Sequence, residues 1–461
     1  MKTKILYCLS VLALSATALA ACSNQNSGDS SGGSKEPTRV EKVVQEAEKM
    51  SREELFKKAA EELGEKTFNW YATSSRGGKV KDKFVEELNK VRPDGAKEIG
   101  VNQINYQTTV DGKIYTFLNA EIESGKAVTS GALLQDGYQL QTKGIANGYV
   151  NYVPKEWSDK EGVKKDRDAN PFSLQFNFKT WMYNNHNKDM TIDNVWDFAK
   201  EGLTIDTMDP TNENVNMDWL IQLTSDDNCA LLKSAFEDPS NSSGLSAEAL
   251  KPYESYGESR KYAFLFIERF IKNAVFYADD GKALDAFKAA PGHAAWIVYS
   301  KIQNVEETEQ TTKKDIVIAA LGKEHSDGKN PTLAMKGFGG FMYKHYLMLM
   351  PDSPLPWTTC AFINFLSTTK VGYSKWAGDV GDYPTYGEDI NQDRSMNGHG
   401  SVVEGKWVVD PTKPNEFPCL NDPSSNWWID TAKSTVETPS YIGTYYNTVA
   451  AFIMQQIAAK K

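Results

Sequence analysis

The sequence predicts an α/β protein of two lobes, each a doubly wound sheet, with helices added before the first strand and an extra segment at the C-terminus. Three observations predict it. From residue 67 strand-like and helix-like stretches alternate, the pattern of a parallel sheet with crossover helices. After residue 175 a second alternating series begins. The length, 461 residues, is enough for two or three domains.

Composition removes several classes. There are 61 acidic against 51 basic residues, for a net charge of −10, with 24% charged and 40% hydrophobic. That excludes a disordered chain, a collagen-like repeat and a polytopic membrane protein. A surplus of acids with no Lys/Arg cluster also excludes a nucleic-acid binder.

Met1 to Ala21 has a basic start (Lys2, Lys4) and an apolar run from Ile5 to Leu19, the layout of an export signal. Leu19-Ala20-Ala21-Cys22 resembles the lipobox of bacterial lipoproteins. The resemblance implies cleavage before Cys22, a diacylglycerol thioether on its sulfur and acyl chains such as palmitate, so that the protein is anchored on the outer face of the cell membrane. Ordinary signal cleavage is the other reading. Residues 22–39 are Ser/Gly/Asn-rich and read as a tether. Cys8, Cys22, Cys229, Cys360 and Cys419 are too widely spaced for a zinc set or a Cys-x-x-Cys, and at most one disulfide is open to the last three.

Residues 40–64 read as two N-terminal helices, the second opened by a Ser51/Glu54 capping box and closed by Gly64. The first part of lobe 1 is placed at 65–175. Thr67 to Thr73 is a strand, Ser74 to Gly78 a polar loop, Val80 to Leu88 a helix, and Val101 to Tyr106 a second strand, making a parallel βαβ unit. A helix near Ile114 to Ile122, a strand at Ala127 to Leu134 and a short helix after Asp136 continue the series, and 150–175 reads as an exposed loop. Lobe 2 is placed at 176–330, the return to lobe 1 at 331–390 and a C-terminal extension at 391–461. In that extension 406–409 fits a hairpin and Gly443 to Ala459 a final helix.

Motifs for chemistry are missing. No phosphate loop, dinucleotide fingerprint, Gly-x-Ser-x-Gly, His-Glu-x-x-His or Cys-x-x-Cys occurs, and Asp389 to Asp393 begins like a calcium loop but has Arg394 and Gly400 where Gly and Glu are needed. The five histidines read as solvated or structural. Tyr445-Tyr446 could serve as paired ferric ligands but reads better as packing. No catalytic residue, metal ligand or cofactor is expected.

Three stretches carry a wider resemblance: Phe68-Asn69-Trp70-Tyr71-Ala72-Thr73-Ser74-Ser75; Trp181 to Asn185 with Asn194 to Phe198 and Met208-Asp209-Pro210; and Pro356 to Ser367 leading to Gly381-Asp382-Tyr383-Pro384. In this order, after a lipobox, they resemble the extracellular solute-binding proteins of bacterial ATP-binding-cassette (ABC) importers, the group of ferric iron, polyamine and sugar binders. The resemblance implies a periplasmic-binding-protein-like fold, a monomer that closes on a small solute by hinge motion, and delivery to the importer's permease subunits. It also implies a ligand site. Ser74, Ser75 and Arg76 would act from the first loop, Asp136 and Tyr138 from the second, and Asp382 and Tyr383 from the returning segment. Trp181, Tyr183, Trp296 and Tyr299 would form walls, although core packing fits each of these aromatics too. A sugar or other small organic solute is expected, with ferric iron as the alternative; a surface-anchored glycan-active enzyme and an adhesin are the other classes left open.

Overall fold

The computed structural model describes residues 36–304, 315–322, 334–377, 381–390, 400–403, 406–409 and 427–460. Cys8, Cys22 and Cys419 lie outside them, as does the proposed signal segment. From Thr38 onward the chain forms one unit. No described helix is long and apolar enough to cross a membrane.

Two capped helices open this unit. In α1 (Arg39–Ala47) and α2 (Arg52–Leu63), Thr38 with Glu41 and Ser51 with Glu54 each form a reciprocal capping box that satisfies the first free N–H groups. Lobe 1 then follows as β1 (Phe68–Ala72), α3 (Lys81–Val91), β2 (Ile104–Thr108), α4 (Asp111–Ser124), β3 (Gly131–Leu134), α5 (Gly137–Gln139), β4 (Val150–Asn151), α6 (Lys155–Asp159) and α7 (Lys165–Asp168). The long strand β5 (Ser173–Asn184) leads into lobe 2, made of β6 (Ile205–Met208), α8 (Asn214–Gln222), α9 (Asp226–Glu237), α10 (Arg260–Asn273), β7 (Ala274–Tyr277), α11 (Asp280–Ala289), β8 (Ala294–Val298) and β9 (Ile316–Ile318). A second long strand, β10 (Gly340–Leu349), returns to lobe 1 with α12 (Pro356–Thr368), α13 (Lys370–Tyr373) and β11 (Asp382–Pro384). After it come the hairpin β12 (Gly400–Val403) and β13 (Lys406–Val409), β14 (Thr435–Val436) and α14 (Pro439–Lys460).

The main sheet runs β2-β1-β3-β10-β5-β8-β6-β7. Its two ends are parallel trios, β2-β1-β3 in lobe 1 and β8-β6-β7 in lobe 2. Between them β10 and β5 pair antiparallel and span both lobes. Each trio is covered on both faces. In lobe 1 one core holds Phe56, Phe68, Trp70, Phe84 and Phe362 under α2, α3 and α12, while Ile114, Tyr115 and Leu118 of α4 pack on the opposite face with Leu134 and Tyr346. In lobe 2 Trp181, Trp219, Phe266, Phe270 and Trp296 fill one face, and Phe178, Phe287, Ile297 and Trp428 the other. This is the expected doubly wound pair of lobes.

Packing places both terminal segments in the body, and three elements differ from the sequence reading. The N-terminal helices pack into lobe 1, where Leu55, Phe56, Ala59 and Leu63 are buried in its core. The stretch 150–175 is not an exposed loop, because Trp157 is fully buried on Phe172, with ring centroids 5.4 Å apart, and pins the segment. Asp218 to Phe236 reads as one helix by its broad apolar face, but the structure has two, α8 and α9, separated at Ser225. Ser259 to Val275 likewise reads as a helix from sequence, but α10 ends at Asn273, and β7 forms because its backbone pairs with β6. The C-terminal segment also belongs to the body: Ile442, Val449, Ile453 and Ile457 of α14 complete the lobe 2 core.

Candidate ligand cleft

The crossing strands build a polar floor. In β5, Gln175, Asn177 and Lys179 alternate with Phe176 and Phe178, so one face of an otherwise apolar strand is polar. In register beside Asn177 stand Tyr343 of β10 and Asp382 of β11, and His345 pairs with Gln175. The loops that reach this floor leave the C-terminal ends of strands in both lobes, where open α/β sheets bind ligands. Ser74 to Arg76 follow β1, Gln135 follows β3, Glu213 to Asn216 follow β6, and Asp280 follows β7.

At the lobe 1 end, Arg76 forms an ion pair with Asp382, whose side chain is 3% exposed against 31% for Arg76. Ser74 Oγ accepts from the Arg76 N–H at 3.3 Å. Tyr106 Oη donates to the Ser74 carbonyl at 2.7 Å. That contact explains Gly77, where an added Cβ would stand 2.7 Å from Tyr106 Oη. His345 sits between Gln175 Nε2 at 3.1 Å and Gln135 Nε2 at 2.5 Å. Burial, reinforced by the Arg76 charge, pulls its pKa down to about 3, so it is a neutral imidazole. Gln175 also accepts from Tyr373 Oη at 2.8 Å.

At the lobe 2 end, Lys179 has a fully buried side chain and lies 2.5 Å from Glu213, 3.4 Å from Asp280 and 2.9 Å from Asn216 Oδ1. Burial disfavours its charge, but Asp280 and Glu213 more than reverse this, and its pKa is raised. Asn177 Nδ2 donates to Tyr343 Oη at 3.3 Å. Burial raises the Tyr343 phenol, and Glu213, Asp280 and Asp382 add to it electrostatically.

The expected site residues divide into three groups. Ser74, Arg76 and Asp382 meet at the floor, with Ser75 exposed beside them. Asp136 and Tyr138 lie instead in a contact between the lobes, where Asp136 accepts from Asn214 Nδ2 and the Tyr138 N–H donates to Asp218 at 3.3 Å. The aromatic walls are corrected to core: Trp181, Tyr183, Trp296 and Tyr299 are at most 2% exposed. Trp181 stacks on Phe198 at 4.1 Å and Trp296 on Trp219 at 4.0 Å, which leaves these rings no face for a solute. Tyr383, 0% exposed and in register with Phe176, belongs to the core cluster that also holds Phe178 and Tyr299. Tyr445 and Tyr446 do not form a ligand pair either, since Arg260 covers Tyr445 at 4.8 Å and Tyr446 stacks on Tyr138 at 3.5 Å. The floor residues Gln175, Asn177, Lys179, Tyr343 and His345 were not anticipated from sequence. Their signal is the polar alternation at 175, 177 and 179.

The chain matches no family model and no curated protein. Among solved structures it is similar to iron-bound HitA from Pseudomonas aeruginosa, at 10% identity over 85% of this chain and 99% of that one, with a TM-score of 0.49. It is also similar to the ferric binding protein from Campylobacter jejuni, at 13% identity over 84% and 99% of the two chains, TM-score 0.46. AttC from Agrobacterium tumefaciens, in an open unliganded conformation, gives 12% identity, 85% and 99% coverage, and a TM-score of 0.48.

Proposed function

We propose that this chain is an extracytoplasmic solute receptor that captures its cargo between two lobes and hands it to the permease of an ABC importer, held at the membrane through Cys22. One observation carries the reading. Loops from the C-terminal strand ends of both lobes converge on a polar floor formed by the two strands that cross between the lobes. A hinge there lets a solute held by both lobes favour the closed form.

A sugar needs a stacking wall, and the four aromatics expected to supply it are core residues. The floor offers hard oxygen donors, Glu213, Asp280, Asp382 and Tyr343, together with Arg76 and Lys179. Ferric iron therefore becomes the first ligand to test; the Pseudomonas protein is described as iron-bound and the Campylobacter one as a ferric binding protein. Among the described residues no three His, Cys, Asp or Glu side chains stand close enough to hold a metal. An iron cargo would need either rearrangement of the two ion pairs or a chelating anion that Arg76 can meet.

The test is thermal denaturation of the mature chain with ferric citrate, citrate alone, sugars and polyamines. A ligand at about 1,000 times its Kd adds roughly 4 kcal/mol, a shift of several degrees. A saturable shift with the compound recovered intact supports the receptor; no shift with any class, or a compound recovered cleaved, sinks it.

A further inference from the structure

Away from the floor, four acids meet where the lobes touch. Asp111 of α4 and Asp136 after β3 belong to lobe 1, Asp218 to α8 of lobe 2, and Glu437 to the link between β14 and α14. Asp136, Asp218 and Glu437 are at most 2% exposed. Asp111 accepts the Asp136 N–H at 2.8 Å, and Asp136 accepts the Gln139 N–H at 2.8 Å and binds Asn214 across the interface. Glu437 accepts from the Lys344 N–H at 3.0 Å and from Tyr346 Oη at 2.6 Å.

None of the four acids has an ion pair among the described residues. Lys344 Nζ turns away to Asp168 at 3.4 Å and to the Arg167 carbonyl, and Lys143 Nζ bonds Gln139 Oε1 at 2.9 Å. Asp218 Oδ1 and Glu437 Oε1 have no hydrogen-bond partner among the described residues. A Cβ added to Gly137 would stand 3.0 Å from Glu437 Oε1, so that orphan oxygen faces the lobe 1 loop. The Tyr138/Tyr446 stack lies at the same interface. No three of these acids can share a metal ion. Asp136, Asp218 and Glu437, shut away from water with no ion-pair partner and with Asp111 half-buried beside them, therefore favour their protonated forms, against the opposing pull of their N–H donors and of Lys143 and Lys344.

We propose that the lobes close across this cluster only by taking up protons, making it a pH-sensitive latch on the receptor. Opening would break the Asp136–Asn214 and Tyr138–Asp218 contacts and return water to the acids. In the closed form burial raises all four, with Glu437 pushed up to about 8. The surrounding phenols of Tyr115, Tyr346 and Tyr446 are raised by burial too and stay neutral, so the acids are what titrates. The sign follows. The closed form binds more protons, so closure is fully favoured below the ordinary carboxylate range near 4 and is lost as pH rises through about 8. Each proton released changes the closed-to-open ratio up to about tenfold per pH unit.

The latch rests on lobes that move, as the receptor reading has it, but its test needs no ligand. Small-angle X-ray scattering of the mature full-length chain from pH 6 to 9.5 should show expansion between about pH 7 and 9, and Glu437→Gln and Asp218→Asn should each weaken that dependence. Constant dimensions across the range, or the same profile in wild type and both variants, overturn the proposal. If one variant fails to fold, the other decides. An intact pH response in a protein that binds none of the screened solutes would count against the receptor reading alone.

Discussion

Lys179→Met tests whether the cleft floor is an electrostatic device. The substitution keeps the length of the side chain and removes its charge, leaving Asp280 at 7% and Glu213 at 23% side-chain exposure without their cation. Removing one partner of a buried pair costs about 3 to 5 kcal/mol. Glu213 keeps some solvent, so the lower end applies, about 3 kcal/mol. For lobes of this size that lowers the Tm by roughly 6 to 12 °C. The loss must also depend on pH. With Lys179 gone, burial and the neighbouring Asp280 charge hold Glu213 above its ordinary value, so the variant recovers stability as pH falls and Glu213 takes up a proton. Differential scanning calorimetry of wild type and variant at pH 8 and pH 5 reads both effects. A Tm drop below about 2 °C at pH 8, or the same drop at both pH values, would refute the reasoning.

Other outcomes follow from the same geometry. Trp181→Ala should destabilise by about 3 to 5 kcal/mol in denaturant titration while leaving ligand affinity of the folded protein unchanged, because the ring is core and not wall. Cys229 and Cys360 are buried free thiols, the first pushed up to about 12 by burial, so neither should react with a thiol reagent at pH 8 until the chain unfolds; labelling counted by mass spectrometry checks this. Ending the chain at Thr438 should expose the lobe 2 core, including the side chains that Ile442 and Ile453 cover. The truncated protein should then show a lower Tm than the full chain, and an equal Tm would show that α14 is dispensable.

Much of the fold was legible because periodicity and capping are local. The Ser51/Glu54 box, the strand at 68–72, the helix on Val80, Phe84 and Leu88, and the α/β alternation in both lobes are set by neighbours a few residues apart. The position of the loop Ser74 to Arg76 was legible for the same reason, since it must leave the C-terminal end of β1. The aromatic walls failed because sequence shows that Trp181 and Trp296 lie on strands but not which face helices cover. β7 was missed because four residues after a helix become a strand only where β6 offers its backbone.

The sequence by itself determined the fold class, the two α/β series and the acidic composition, since each is written in composition or short-range pattern. Tertiary structure decided where charge is placed. It set Lys179 between Glu213 and Asp280, Arg76 on Asp382 from 306 residues away, and four acids from two lobes and the C-terminal segment around one contact. The physical reason is that ion pairing and desolvation depend on distance in space, and the strands that cross between the lobes bring together groups that sequence spacing keeps apart.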